Sequence, residues 1–232
     1  MKKVLSSYQL NMFVKEMPVT PTPDFVNKLF SRFNTLGLFP GVGTESTPEG
    51  RQIQFLRMAT SDDKISVGFN SFVLNVVIND LNDEGPAKAL EFADRIYTSI
   101  SDAGINLQAN RLSFVSSNVN RVEASEAQDK INKFIIPQVD KHESVEWDSR
   151  FVLRKMLGDE VINNVTVIRH LKASVPIVNS GRPFDAIVFD KDVNTIQENE
   201  VYRFDMHQAV EIFNKMIPFV EHNEYERIWN EA

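Results

Sequence analysis

RQIQFLRMATSDDKISVGFNSFVLNVVIN, residues 51–79, is the stretch that decides the fold class. Three runs within it alternate apolar and polar residues, and this period of two is typical of β-strands with one buried face. Residues 61–63 and 70–71 separate the runs and contribute the Ser, Asp and Asn side chains that favour turns. The stretch therefore predicts a three-stranded antiparallel meander with two tight turns.

Amphipathic helices are predicted on both sides of this meander. Before it, Thr22 is a suitable N-cap, Pro23 suits the first helical position and Gly37 suits the C-terminal end. After it, Pro86 and Gly104 mark the start and the end of a second helix. Apolar residues recur at helical spacing in both segments: Val26, Leu29, Phe30, Phe33 and Leu36 in the first, and Leu90, Ala93, Ile96, Tyr97 and Ile100 in the second. Each helix is therefore expected to bury one face.

The stretch FPGVGTESTPEG, residues 39–50, lies between the first helix and the meander. It is expected to form a loop, because glycine and proline are frequent in turns. It lacks the lysine of a phosphate-binding P-loop, and no helical pattern follows it directly. The sequence therefore predicts no phosphate site there.

The second half of the chain repeats this order of elements less regularly. A helical stretch is predicted at 125–135, followed by strands at 144–157, 161–172 and 184–190. An acidic C-terminal helix follows, with apolar residues at Met206, Ala209, Val210, Phe213, Met216, Ile217 and Val220. The predicted fold class is α+β, with largely antiparallel sheets and amphipathic helices packed on one face.

This order corresponds to two successive sheet-plus-helix units. The N-terminal unit covers residues 1–124, and the C-terminal unit covers residues 125–232. No Pro- or Ser-rich linker divides them. The two units are therefore expected to pack as one compact body.

The composition excludes several classes of function. The 232 residues include no cysteine, which rules out disulfides, thiolate nucleophiles, zinc ribbons and iron–sulfur clusters. The net charge of −7, from 25 basic and 32 acidic residues, disfavours nucleic acid as a partner. A local basic strip would have to come from Arg111, Arg121, Arg150, Arg154, Lys155 and Arg169. Because no apolar run reaches about 18 residues, the sequence predicts a soluble, cytoplasmic protein without a membrane partner.

Potential metal ligands concentrate near the C-terminus, in the stretch FDMHQAVEIFNKMIPFVEHNEYERIW. Within one helix His207 and His222 would lie roughly 22 Å apart, since each residue adds about 1.5 Å, so they cannot bind the same ion. His207 pairs with a glutamate four residues later, but a zinc site needs three or four ligands. Asp190, Asp192 or His170 would have to supply the third. Ordinary surface pairing is the favoured interpretation, and no metal or other cofactor is predicted.

Asp190 and Asp192 form an Asp-x-Asp pair in IVFDKDVNT, residues 187–195. A strand ending in Asp-x-Asp is how haloacid-dehalogenase-type phosphatases present their nucleophile and general acid. Here the parallel βα repeats of those enzymes are missing, so solvent-facing aspartates at a strand end are the favoured interpretation. The alternative function is a hydrolase or nuclease that holds a divalent ion with Asp190, Asp192 and Asp205.

The order of the elements resembles that of a sporadically distributed family of uncharacterised bacterial proteins. The matching stretches are KISVGFNSFVLNVV, ANRLSFVSSNVNRVE and FDAIVFDKDVNT, the last followed by the acidic C-terminal helix. Together they span most of the chain. The resemblance implies a shared fold and assigns no catalytic residues.

The leading functional hypothesis is a non-catalytic, cytoplasmic protein-binding module that belongs to a bacterial or phage multi-gene system. It depends on the open edges of an antiparallel sheet and on a cluster of aromatic and aliphatic residues at the C-terminus, Tyr225, Ile228 and Trp229. Trp229 could equally dock the C-terminus onto the core. Homodimerisation by pairing of sheet edges is compatible with the pattern but is not required by it.

Overall fold

The computed structural model describes residues 1–47, 49–80, 82–123, 125, 146–175 and 179–221. The strands are β1 (Lys2–Val14), β2 (Phe39–Ser46), β3 (Gln52–Ala59), β4 (Ile65–Asn70), β5 (Val73–Asp80), β6 (Ala109–Arg121), β7 (Trp147–Leu157), β8 (Glu160–Ala173) and β9 (Phe184–Thr195). The helices are α1 (Pro23–Phe33), α2 (Pro86–Asp102) and α3 (Met206–Val220).

The nine strands form one sheet in the order β2–β3–β4–β5–β1–β6–β9–β8–β7. Every neighbouring pair is antiparallel. The predicted meander is confirmed as β3, β4 and β5. The α+β class with antiparallel strands is therefore confirmed.

The helices begin and end close to the residues that the sequence indicated. Thr22 is the N-cap of α1 and Pro23 is its first residue. A short 3₁₀ turn then ends at Gly37, whose φ of 72° lies in the left-handed region that glycine adopts without a steric penalty. The α3 helix begins with a capping box, in which Asp205 Oδ1 accepts from Gln208 N at 2.8 Å and Asp205 N donates to Gln208 Oε1 at 3.0 Å.

The helices pack on one face of the sheet, here called the helix face. At its centre the Phe114 ring of β6 contacts Tyr8 of β1 edge-on, with the ring centroids 6.4 Å apart. The same ring contacts Phe213 of α3, with the centroids 5.9 Å apart, and Phe213 in turn stacks on Tyr97 of α2. Burying a large apolar side chain contributes about 1.5–3 kcal/mol, so this contiguous core holds the helices against the sheet.

The prediction of a loop at residues 39–50 is wrong, because β2 forms there. Pro40 is tolerated because β2 is an edge strand, which leaves one side of its backbone unpaired. Gly43 lies beneath the ring of Phe55, and a Cβ at this position would be only 2.2 Å from Phe55 Cζ. Proline and glycine therefore occupy positions where a strand can accommodate them.

The strand predicted at 184–190 is longer than expected and ends at Thr195. Its neighbours β6 and β8 pair with it beyond Asp192, through Asn194 and Thr195 respectively. Pairing of β9 with β6 also joins strands of the two predicted units in one sheet. The predicted division between residues 124 and 125 adjoins a part of the chain that is not described, and it stays a prediction.

Over the ranges given above, none of the helices combines the length and the hydropathy needed to cross a membrane.

Candidate functional site

Asp190 and Asp192 lie in the middle of β9 and not at its end. Because Phe189 and Val193 belong to buried clusters, the two aspartates between them point to the sheet face opposite the helix face. Ser117 Oγ donates to Asp190 Oδ1 at 2.5 Å, and an ion pair with a β8 arginine also engages Asp190. The hydroxyl of a second β6 serine donates to Asp192 Oδ1 at 2.8 Å. Both carboxylates are therefore occupied within the sheet.

His207 lies in the first turn of α3, and its side chain is largely exposed. Its Nδ1 is 3.6 Å from Glu211 Oε1, the i,i+4 pair that the sequence predicted. Since α3 covers the helix face, His207 is on the other side of the sheet from Asp190 and Asp192. The structure does not bring these three candidates together, and the side chain of Asp205 caps α3.

Within the described residues, no three His, Asp or Glu side chains are close enough to hold a metal ion. In particular, Asp190, Asp192 and Asp205, the three carboxylates of the alternative function, are not close enough together to share a divalent ion. His222 and the predicted contact residues Tyr225, Ile228 and Trp229 lie outside the described residues. Their roles stay predictions.

The candidate basic strip divides between the two faces of the sheet. Arg111, Arg121, Arg150, Arg154 and Arg169 share the face opposite the helix face, as their alternation along the strands requires. Lys155 lies on the helix face, with Nζ 5.2 Å from the centroid of the Phe219 ring.

Most of these arginines already have partners. Arg111 and Arg121 each stack on a phenylalanine ring, with their guanidinium carbons 4.7 Å and 4.6 Å from the ring centroids. Arg169 pairs with Asp190. Arg154 Nη2 donates to Glu198 Oε1 at 2.5 Å, and Arg154 Nε donates to Asn163 Oδ1 at 3.3 Å. Of the five arginines on this face, two therefore pair with carboxylates and two stack on aromatic rings.

Glu198 is the acidic partner of Arg154 at the β7 side of the sheet. Hydrogen bonds from its own backbone N–H and from Arg154 hold the pKa of the Glu198 carboxyl below its usual range. The carboxylate therefore stays charged as the pH falls through the range in which free glutamate begins to protonate.

An exposed apolar surface lies on β7, one of the two edge strands of the sheet formed by the described residues. Phe151 is 51% exposed and Leu153 is 57% exposed, and both point to the helix face. Val152 and Met156 are also exposed and point to the opposite face. An edge strand with apolar side chains exposed on both faces is a template for pairing with another strand.

Charged residues flank the exposed apolar residues of β7. Arg150, Arg154 and Lys155 are basic, whereas Asp148 is the only acidic residue of the strand. Within the described residues, the side chains of Asp148 and Arg150 form no hydrogen bond or ion pair, although both backbones pair with β8. The exposed strand therefore offers unpaired charges of both signs.

Sequence reasoning did not single out Phe151, Leu153 and Met156. The available signal was the run of three consecutive apolar residues, 151–153, between two arginines. In a strand, such a run places apolar side chains on both faces, and the flanking charges limit how deeply either face can be buried.

The sequence matches no protein-family model and no curated protein. Among solved structures, a chain of the di-domain ARO/CYC StfQ from the steffimycin biosynthetic pathway is 10% identical and gives a TM-score of 0.18. That alignment covers 94% of this chain and 99% of the other. A score this low supports no conclusion about fold or activity.

Proposed function

We propose that the protein is a non-catalytic protein-binding module and that β7 is its binding element. An extended segment of another polypeptide pairs with this edge and adds one strand to the sheet. The observation that carries the proposal is the exposure of three consecutive apolar side chains, 151–153, on an edge strand of 11 residues. Strand addition of this kind gains affinity from main-chain hydrogen bonds and specificity from alternate side chains.

The two edges of the sheet differ in their capacity to accept a strand. At β2, Pro40 has no backbone N–H to donate, and Gly41 and Gly43 weaken the strand. The β7 strand contains neither proline nor glycine and is three residues longer, with 11 residues against eight. The β7 edge is therefore the better template for pairing.

The exposed side chains of β7 supply the driving force. Phe151 and Leu153 each retain about half of their exposure, so covering them removes apolar surface worth about 1 kcal/mol per residue from water. Val152 and Met156 add a similar contribution on the other face. A partner strand that pairs with residues 151–153 would cover Phe151, Val152 and Leu153.

Within this proposal, the protein is a component of a bacterial or phage multi-gene system, as the resemblance to a bacterial family suggests. Tyr225, Ile228 and Trp229 are proposed as an additional contact. The β7 edge does not depend on either inference, since its support comes from described residues alone.

The β2 edge provides a matched control for testing β7. Phe39 is 52% exposed and Val42 is 59% exposed, close to the values for Phe151 and Leu153. We expect wild-type protein and the double variant Phe39→Asp/Val42→Asp to capture the same partner from the native host. The double variant Phe151→Asp/Leu153→Asp is expected to lose that partner, because buried carboxylates would oppose strand addition.

Three measurements complete this test. Circular dichroism checks that both variants are folded, mass spectrometry identifies the captured chains, including untagged copies of the protein itself, and hydrogen exchange reports protection of the amides at 151–153. Undiminished capture by the folded β7 variant would overturn the proposal. Capture of no chain by the wild-type protein would do the same.

A further inference from the structure

The chemistry of β7 also indicates which chain covers it. We propose that the partner strand is β7 of a second copy of this protein, paired antiparallel about a two-fold axis that passes through Phe151. The inference rests on the proposed function of β7 and deepens it by naming the partner. Two nine-stranded sheets would join into one continuous sheet with a β2 edge at each end.

Two-fold symmetry restricts the registers that such a dimer can adopt. If the axis is perpendicular to the sheet, the helices of both copies stay on the same side, and one residue of β7 faces its own copy at the centre. Residues at equal distances from that centre then face each other. Each choice of central residue therefore fixes every cross-strand pair.

Five of the central residues bring like charges together. With Asp148, Arg150, Arg154 or Lys155 at the centre, that charged residue faces its own copy. With Val152 at the centre, Arg150 faces Arg154 twice. Like charges directly opposite each other destabilise strand pairing.

The register centred on Phe151 avoids these clashes and pairs opposite charges. Asp148 faces Arg154 twice, Phe151 faces its own copy, and Arg150 faces Val152. The overlap covers residues 147–155 of both strands. A centre at Leu153 forms no ion pair, and a centre at Ser149 overlaps over residues 147–151 only.

The described contacts leave these charges available for a second copy. Asp148 is exposed, and its side chain has no hydrogen bond or ion pair with a described residue. Arg154 uses Nε for Asn163 and Nη2 for Glu198, and a guanidinium has five N–H donors in all. Both side chains lie on the face opposite the helix face, as cross-strand pairing requires.

The oligomeric state tests the choice of partner. Sedimentation equilibrium of the purified full chain is expected to give twice the monomer mass of 26.5 kDa. Asp148→Arg alone places arginine opposite arginine, and Arg154→Asp alone places aspartate opposite aspartate, so each variant is expected to be monomeric. An equimolar mixture of the two is expected to form a heterodimer, because both of its cross-strand pairs are again opposite in charge.

Cysteine cross-linking tests the register. The chain has no native cysteine, so each introduced thiol is unique. Phe151→Cys is expected to form an intermolecular disulfide on mild oxidation, because directly opposed residues are about 4.5–5.5 Å apart at Cα. In this register the two copies of residue 153 are offset by roughly 13 Å along the strands, so Leu153→Cys serves as the matched control that does not cross-link.

The possible results separate this inference from the proposed function. The inference is supported if the Phe151→Cys protein forms a cross-linked dimer and if the mixture of Asp148→Arg and Arg154→Asp proteins forms a heterodimer. A monomeric wild-type protein overturns the choice of partner, as does a dimer that cross-links through Leu153→Cys or through Val42→Cys on β2. In the monomeric case, loss of a different captured chain by the β7 double variant would still support the proposed function.

Discussion

At the scale of single residues, Tyr97 carries one of several buried polar groups that have no hydrogen-bond partner among the described residues. The hydroxyl of Tyr97 is fully buried on α2 and has no hydrogen-bond partner. Burial raises the pKa of this hydroxyl above its ordinary value, so it stays protonated throughout the stable pH range. The ring, by contrast, stacks on Phe213 of α3, with the centroids 6.5 Å apart. Tyr97 thus contributes to stability through its ring and not through its oxygen.

Tyr97→Phe is therefore expected to raise the free energy of unfolding by about 1 kcal/mol, because it removes an unsatisfied buried hydroxyl and keeps the ring. Urea denaturation followed by circular dichroism measures the change. Tyr97→Leu, which removes the ring contact with Phe213, is expected to lower the free energy by about 2 kcal/mol. If Tyr97→Phe proved destabilising, the hydroxyl would have to be satisfied in solution, for example by a buried water.

At the scale of elements, the sequence predicts helices better than it predicts β2. Helix boundaries depend on local features, such as Thr22 and Pro23 before α1 and the capping residue Asp205 before α3. The β2 strand depends instead on a contact between strands, since the Phe55 ring of β3 covers Gly43. The residues around Gly43 do not show that a side chain of another strand covers it. The glycines and the proline of β2 were therefore interpreted as a loop.

Gly43→Ala is expected to lower the free energy of unfolding by about 1 kcal/mol, because the new Cβ would displace the ring of Phe55. Gly41→Ala is the matched control on the same strand, since its nearest neighbour, Arg57 O, would be 3.8 Å away. In a protein that already carries Phe55→Ala, Gly43→Ala is not expected to lower the free energy of unfolding any further. Thermal and urea denaturation measure the stability of Gly43→Ala, Gly41→Ala, Phe55→Ala and the double variant Phe55→Ala/Gly43→Ala. If the two glycine substitutions lowered the free energy of unfolding equally, the steric explanation would be contradicted.

The same reasoning explains the outcome for the candidate site. Asp190 and Asp192 were correctly placed on or near a strand, but their position in its middle depends on how far β6 and β8 extend beside it. The exposure of Phe151 depends on β7 being last in the sheet order. Neither fact is local, because both depend on which strands are neighbours.

At the scale of the whole molecule, the sheet order is the feature that local patterns do not determine. The β1 strand lies between β5 and β6, and β9 lies between β6 and β8. Distant parts of the chain are also joined by Arg203, which forms a two-pronged ion pair with Glu160 of β8, at 2.8 Å and 2.6 Å. Arg203 Nη1 donates to Asn110 O of β6 at 2.7 Å. These contacts connect the segment before α3 to both predicted units.

Such interleaving predicts that the described parts of the two units unfold together. The β6–β9 pairing runs without interruption from Ser113–Asn194 to Arg121–Ala186, and one apolar cluster includes residues from both units. Independent unfolding of either unit would expose that cluster and break this pairing. Both tryptophans, Trp147 and Trp229, belong to the C-terminal unit, so their fluorescence reports on that unit alone.

In urea, tryptophan fluorescence and far-ultraviolet circular dichroism are therefore expected to give the same midpoint and the same slope. Circular dichroism reports on all the strands and helices, whereas fluorescence reports only on the second unit. The measurement is made on the Asp148→Arg variant, so that dissociation of a dimer does not contribute to the transition. A circular-dichroism transition in two phases, with the fluorescence change confined to the first phase, would show that the C-terminal unit unfolds by itself. The shared sheet would then be a docking interface between two domains and not the core of one.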